Sequence, residues 1–412
     1  MSPSNSSFEP LNISIVGAGI GGFTAAVALR RNGHLVQIFE AVESKTEVGA
    51  ALGVHVNALR VLDHLGVSRD NLHGVPWHGN MVFDSKGGEG TTLRWLVPDV
   101  NENPGLLAHR SDLYDELKRL ATGEGEGPPA KLHPGTKVVA CDSEEGTVTL
   151  NNGEVFRADF VLGADGIHSV IRTHILGSAV KARDSGWSCI RAVFETSNLR
   201  DIPELEWLYG GASGTRSVVL NGGPFRMLFV YPCRDGSLQN VVAYYTDSPE
   251  DAPWVPTATR EELIAKYHDF DPKYLRLFDL PVHSPIHKYK LRVLPLIPTW
   301  VLGRAALLGD AAHATVPLLG QGAAMAIEEG GALGCLLPAG TKREDIPARL
   351  QAYQDLRKKR GEFVETESVE QVANGFTFPR SKDLQSYLLE YDTIREAEGF
   401  YQERFGGDSQ AN

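Results

Sequence analysis

The stretch from Asn12 to Glu40 constrains the fold of this chain more than any other. It reads Asn12-Ile-Ser-Ile-Val16, Gly17-Ala-Gly-Ile-Gly-Gly22, a helix-like run to Asn32, and Leu35-Val-Gln-Ile-Phe39 before Glu40. Two apolar runs of strand length flank the helix, and Gly33 supplies its stop. Strand, tight turn, helix and second strand make a βαβ unit, which requires a parallel sheet and an α/β fold. Gly17, Gly19 and Gly22 have the spacing G-x-G-x-x-G. The first permits the turn, the second lets backbone approach a pyrophosphate, and the third brings the helix close to the strand, with Ala26 continuing that small face. Backbone N–H groups and the positive end of the helix dipole then hold the phosphates. Glu40 ends the second strand, where an acid accepts from an adenosine ribose hydroxyl. The pattern specifies an ADP-containing dinucleotide and leaves FAD and NAD both open.

Composition narrows the partners. A formal charge of −12 argues against nucleic acid or an anionic membrane. Cys141, Cys189, Cys233 and Cys335 are scattered without a C-x-x-C, so neither a disulfide framework nor a metal site is expected. Met1-Ser-Pro-Ser-Asn-Ser-Ser7 lacks a basic apolar leader and reads as a disordered tail. Ser409-Gln-Ala-Asn412 carries no lipidation or peroxisomal address. With no apolar run long enough to span a bilayer, the expected compartment is the cytoplasm.

Further along, Gly49-Ala-Ala-Leu-Gly-Val-His55 precedes a short helix bearing Leu59, Leu62 and Leu65, stopped by Gly66. Asn80 to Leu96 reads as a hairpin. Arg110-Ser-Asp112 opens a helix, with Ser111 as its expected cap and Arg110 beside its N-terminus, positioned to meet a phosphate. Strands near 136–140 and 147–150 are joined to an apolar strand that ends in Gly163-Ala-Asp165-Gly166. An acid at the carboxyl end of such a strand lies where open α/β sheets bind ligands. From about Gly177 to His287 the pattern becomes sheet-rich, with turns such as Asn221-Gly-Gly-Pro224 and a helix at 260–268. Trp300 to Leu308 reads as one more strand, ending in Gly309-Asp310. Gly320-Gln-Gly322 then leads into a small-residue helix over 323–337. A long helix over 344–372 and a shorter one over 381–391 follow.

Read together, three stretches resemble the class A flavoprotein monooxygenases, most closely the salicylate-hydroxylase-like branch. They are the N-terminal fingerprint with Glu40, Gly163-Ala-Asp-Gly-Ile-His-Ser-Val-Ile-Arg172, and Gly309-Asp-Ala-Ala-His313 with Pro317 and Gly320-Gln-Gly322. One departure is Val56, where this branch commonly has proline before Asn57. The resemblance implies an α/β fold: a Rossmann-like FAD-binding domain (8–70, 97–175, 288–345) with an inserted β-sheet-rich substrate domain (71–96, 176–287) and a C-terminal helical segment (346–412). It implies that Gly17, Gly19, Gly22, Glu40, Arg110, Asp165, Asp310, Gly320 and Gly322 hold FAD. Glu40 would take the ribose, Arg110 the pyrophosphate and Asp310 the ribityl chain.

The implied chemistry is reduction of FAD by NADH or NADPH, addition of O2 to give a flavin C4a-hydroperoxide, and transfer of oxygen to an aromatic or otherwise electron-rich small molecule. Arg191, Tyr231 and His55 are the candidate catalytic residues, with Tyr244 or Tyr245 also a candidate to face the substrate, and His313 is read as positioning backbone. A monomer or homodimer is expected. The rival readings are a flavin oxidase or reductase that inserts no oxygen, and a non-catalytic dinucleotide sensor. Asp310 and Gly320-Gln-Gly322 weigh against the sensor, which has no use for ribityl contacts.

Overall fold

The computed structural model describes residues 9–43, 51–209, 214–220, 222–247, 256–373 and 381–406. The expected N-terminal tail, Gly49, Ala50, the start of the turn at Asn221 and the tail 409–412 lie outside these residues.

A six-stranded sheet runs in the order Val301–Leu302, Ala305–Leu307, Phe160–Gly163, Asn12–Val16, Leu35–Phe39, Lys131–His133. The inner strands are parallel, and their register aligns Val16 with Phe39 and Gly163, and Gly163 with Leu307. Four strands therefore end at one level, and Gly17, Glu40, Asp165 and Asp310 follow those ends. The run from Trp300 departs from the single strand expected of it. It folds as two short antiparallel strands, because Gly303, at φ +53°, turns the chain between them.

The helix Ile20–Arg31 packs against the small-residue helix Gly322–Leu336 on one face of this sheet. Glycine makes that approach possible. A Cβ at Gly330 would sit 2.8 Å from the Ala25 backbone nitrogen, and one at Gly334 would sit 2.8 Å from the Ala28 Cβ. The long helix Ile346–Ala373 follows, and then Lys382–Leu389. A last helix, Thr393–Phe405, was not read from the sequence, whose apolar positions there are few.

A seven-stranded sheet draws its strands from 79–94 and 183–293. Its first strand, His287–Val293, crosses the domain boundary expected at 288. Residues along its strands alternate between two faces, as a period of two requires. Ile190, Val241, Ala243 and Tyr245 pack in an outer core with Trp207, Leu263 and Tyr267. Cys189, Val193, Val242 and Tyr244 pack in an inner core with Trp77, Val316 and Met325. The alternation separates the two neighbouring tyrosines: Tyr244 faces inward and Tyr245 outward.

Gly330→Ala is expected to destabilise the protein by about 1–3 kcal/mol, since the clash is with backbone that cannot rotate away. A urea midpoint equal to wild type would show that the two helices have room to part.

Candidate active site

The loops at the carboxyl ends of the parallel strands line a cavity of about 690 Å³. Gly17, Gly19, Gly22, Glu40, Arg110, Asp165, Asp310, Gly320 and Gly322 all contribute to its wall. Gly17 has φ +107°, and an added Cβ would sit 2.2 Å from the Ala164 carbonyl oxygen. A Cβ at Gly22 would sit 2.1 Å from the Gly17 carbonyl oxygen. Internal packing thus demands glycine at both. Gly19 and Gly322 differ: a Cβ on either meets nothing within 4 Å, so the fold itself leaves room for a side chain. What their bare backbone leaves open is the cavity.

Glu40 braces the glycine turn from the next strand. Its Oε2 accepts from the Ala18 N–H at 3.0 Å and its Oε1 from the Val42 N–H at 3.1 Å. Asp165 Oδ2 accepts from the Val170 and Ile171 N–H groups at 2.7 and 3.2 Å, whereas its buried Oδ1 has no hydrogen-bond partner among the described residues. Burial pushes the Asp165 carboxyl above its ordinary range, so a donor from a ligand is worth most there. Arg110 is the first residue of the helix Arg110–Thr122. The cap is His109, not the expected Ser111: its Nδ1 accepts from the Ser111 N–H at 3.4 Å, and the Ser111 hydroxyl instead joins Arg234 and Asp112.

The opposite wall comes from the seven-stranded sheet and carries Arg191, Phe229, Tyr231, Val242 and Tyr244, with Trp77 beside them. The Arg191 Nε is buried and without a hydrogen-bond partner among the described residues, and its guanidinium lies 5.3 Å from the Tyr289 ring centre. The Tyr231 hydroxyl donates to the Ala51 carbonyl at 2.7 Å, tying the sheet to the strand Ala51–Val54. Burial raises the hydroxyl pKa of Tyr231 and Tyr244, so both stay protonated. His55 is not on the cavity wall. It packs 4.3 Å from the Trp77 ring centre, its Nε2 is buried without a hydrogen-bond partner among the described residues, and burial pulls its pKa down to about 3. Val56 occupies the first position of the helix Val56–His64 after His55 as cap, a place that also suits proline.

The cavity wall is thus a glycine turn, an acid beside each neighbouring strand end and an arginine at a helix start, and comparison with known proteins agrees with it. The profile of a family described as "FAD binding domain" matches residues 11–368. The chain belongs to this family. Hispidin-3-hydroxylase of Neonothopanus nambi is 39% identical over 413 residues, covering 95% of this chain and 96% of that protein. Salicylate hydroxylase of Pseudomonas putida is 29% identical, covering 90% and 86%. A solved salicylate hydroxylase substrate complex superimposes with a TM-score of 0.74 at 25% identity, covering 95% of this chain and 98% of that one. The protein is a class A FAD-dependent monooxygenase.

Sequence reading missed the acid that supports the Gly309-Asp310 turn of this monooxygenase from behind. Glu329 Oε2 accepts from the Gly309 N–H at 2.7 Å and its Oε1 pairs with His313 Nε2 at 2.6 Å, all buried. Burial opposes a charged His313, but Glu329, Asp310 and Glu365 outweigh it and raise its pKa. His313 therefore positions the Gly309-Asp310 turn. The available signal was the pair Glu328-Glu329, two acids in an otherwise small and apolar helix. Arg172 is likewise structural, donating to the carbonyls of Ala311, Ile167 and Val180.

Glu365, on the long helix, lies near His313 and carries the unusual titration of the region. Burial pushes its carboxyl up to about 7, with Glu362 adding and His313 and Arg183 opposing. A folded pKa raised above the ordinary 4.5 means stability that is full below about 4.5 and is lost as pH rises through about 7. Glu365→Gln should therefore leave the melting temperature unchanged at pH 4.5 and raise it above pH 7. An unchanged difference in melting temperature between those conditions would discount the burial argument.

Proposed function

We propose that this monooxygenase takes electrons from NADH or NADPH and inserts one oxygen atom of O2 into a phenol or similar electron-rich aromatic compound, releasing the other as water. The observation that carries the reading is Arg191, a cation on the cavity wall beside Tyr231, Tyr244 and Phe229, whose buried Nε has no hydrogen-bond partner among the described residues. Such a group calls for an anion, and a planar guanidinium fork suits a phenolate or carboxylate. Salicylate, the compound in the name of one relative, is a phenol bearing a carboxylate.

On this reading Gly19 gives the pyrophosphate room, Arg110 pairs with it, Glu40 accepts from the adenosine ribose and Asp310 from the ribityl chain. Glu40 is held in place for that contact by the Ala18 and Val42 N–H groups. The chemistry that bound FAD supplies is activation of O2 for transfer to carbon. The chain's own residues do the rest. Arg191 draws the substrate's negative charge to one place and favours the ionised, more electron-rich ring. Trp77, Phe229 and Val242 keep water from the reacting centre, where it would divert oxygen to hydrogen peroxide. Tyr231 and Tyr244 remain donors. His55, neutral and off the wall, is assigned to packing rather than proton transfer.

Asp310→Ala is expected to weaken FAD binding roughly ten- to a hundred-fold, the worth of one charge-assisted hydrogen bond. Titration of the apoprotein with FAD measures it, and wild-type affinity would remove Asp310 from the cofactor site. Arg191→Ala should retain FAD and its reduction, while product formation falls roughly ten- to a hundred-fold and peroxide rises. Product per NAD(P)H consumed, across a panel of phenols and aromatic acids, decides. Unchanged coupling would sink the assignment of Arg191.

A further inference from the structure

Behind the Gly320–Gly322 turn lies a chain of buried polar groups that take no part in the cavity wall. Gln321 caps the small-residue helix, yet its side chain turns away from the cavity. Its Oε1 accepts from Asn57 Nδ2 at 3.0 Å, and the same Asn57 nitrogen donates to Glu328 Oε1 at 2.6 Å. Asn57, Gln321 and Glu328 are at most 1% exposed. Glu328 in turn accepts from Arg360 Nε at 2.8 Å and Nη2 at 2.9 Å, and from Arg357. Burial by itself would raise the Glu328 carboxyl, but the two guanidiniums overwhelm it and hold it at about 2. Glu328 is therefore ionised throughout the working range and cannot release Asn57 by titrating.

The chemistry selects a positioning role. A buried carboxylate held by two arginines is rigid, because any displacement leaves charges unpaired in a poor dielectric. Asn57 receives that rigidity through a single NH2 group and passes it to Gln321, between the two glycines that have little stiffness of their own. Gly320 is in the left-handed region at φ +65°, and Gly322 has open space around it. Without an external anchor, such a turn would sample several conformations. We propose that Glu328 and Asn57 are positioning residues which, through Gln321, fix the Gly320–Gly322 turn and thereby set how strongly the protein favours reduced over oxidised flavin. The link to potential follows from the turn's place at the N-terminus of a 15-residue helix, where aligned backbone dipoles stabilise added negative charge. The inference rests on FAD occupying the cavity as read above.

The test compares wild type, Asn57→Ala, Gln321→Leu and the double variant. Each apoprotein is titrated with FAD, and each holoenzyme is poised for its flavin midpoint potential. Each single substitution is expected to weaken FAD about tenfold, the worth of one lost hydrogen bond. Reduced flavin should lose about tenfold more than oxidised, which lowers the potential by about 30 mV for a two-electron couple. Because both residues act through one link, the double variant should match the more severe single one. Arg60→Ala is the control. It lies on the same helix as Asn57 but donates to the Leu389 carbonyl, so it should lower the melting temperature without moving the potential. Potentials equal to wild type in Gln321→Leu, or effects that add in the double variant, would overturn the proposal. Should Asn57→Ala not fold, Gln321→Leu alone carries the decision. Wild-type protein that binds no FAD would instead refute the cofactor reading itself.

Discussion

Everything at the site depends on the alignment of four parallel strand ends. The pairing of Val16 with Phe39 and Gly163, and of Gly163 with Leu307, brings loops far apart in sequence to one edge of the sheet. Two of those loops then touch. The Gly17 turn presses so closely on the Ala164 carbonyl that no side chain fits between them. A one-residue slip of Leu35–Phe39, Phe160–Gly163 or Ala305–Leu307 would move the acid that follows it away from the edge and send each of its side chains to the opposite face of the sheet. Both faces are packed: Ile13, Ile15, Phe160 and Leu162 on one, and Ser14 and Val161 on the other, are at most 1% exposed.

The second requirement is a wall facing those loops. The seven-stranded sheet supplies it, and a period of two selects which residues it presents. Arg191, Tyr231 and Tyr244 face the cavity, whereas Tyr245 packs outward beneath the helix at 260–266. Tyr231 ties this wall by its bond to Ala51 to the strand just before the Val56–His64 helix.

Much of this was legible in the residues themselves, because it arises from local chemistry. Glycine spacing, an acid at a strand end and a break in apolar periodicity are all short-range signals. Accordingly the glycine turn, Glu40, Asp165 and Asp310 lie around one cavity. What escaped reading depends on contacts between distant segments. Ser111 looked like a cap, but His109, one residue before the helix, already points at the free N–H. The run from Trp300 looked like one strand, and Gly303 folds it back on itself. His55 looked free to reach a ligand until Trp77 and Trp95 closed around it. Glu328 and Glu329 have meaning only once Arg357, Arg360, His313 and Gly309 are brought to them from elsewhere in the chain.

The strand order also dictates when the molecule can be completed during synthesis. Asn12–Val16 and Phe160–Gly163 pair early, but Ala305–Leu307, which covers the far side of Phe160–Gly163, emerges only after the whole seven-stranded sheet has been made. Until then one edge of the parallel sheet is unpaired, and the helix Gly322–Leu336, which packs on Ile20–Arg31 over one face, is still to come. Contacts of such long sequence separation fold slowly and expose sticky edges while they wait. Between the synthesis of Phe160–Gly163 and that of Ala305–Leu307, the open edge is the place where the growing chain can mispair.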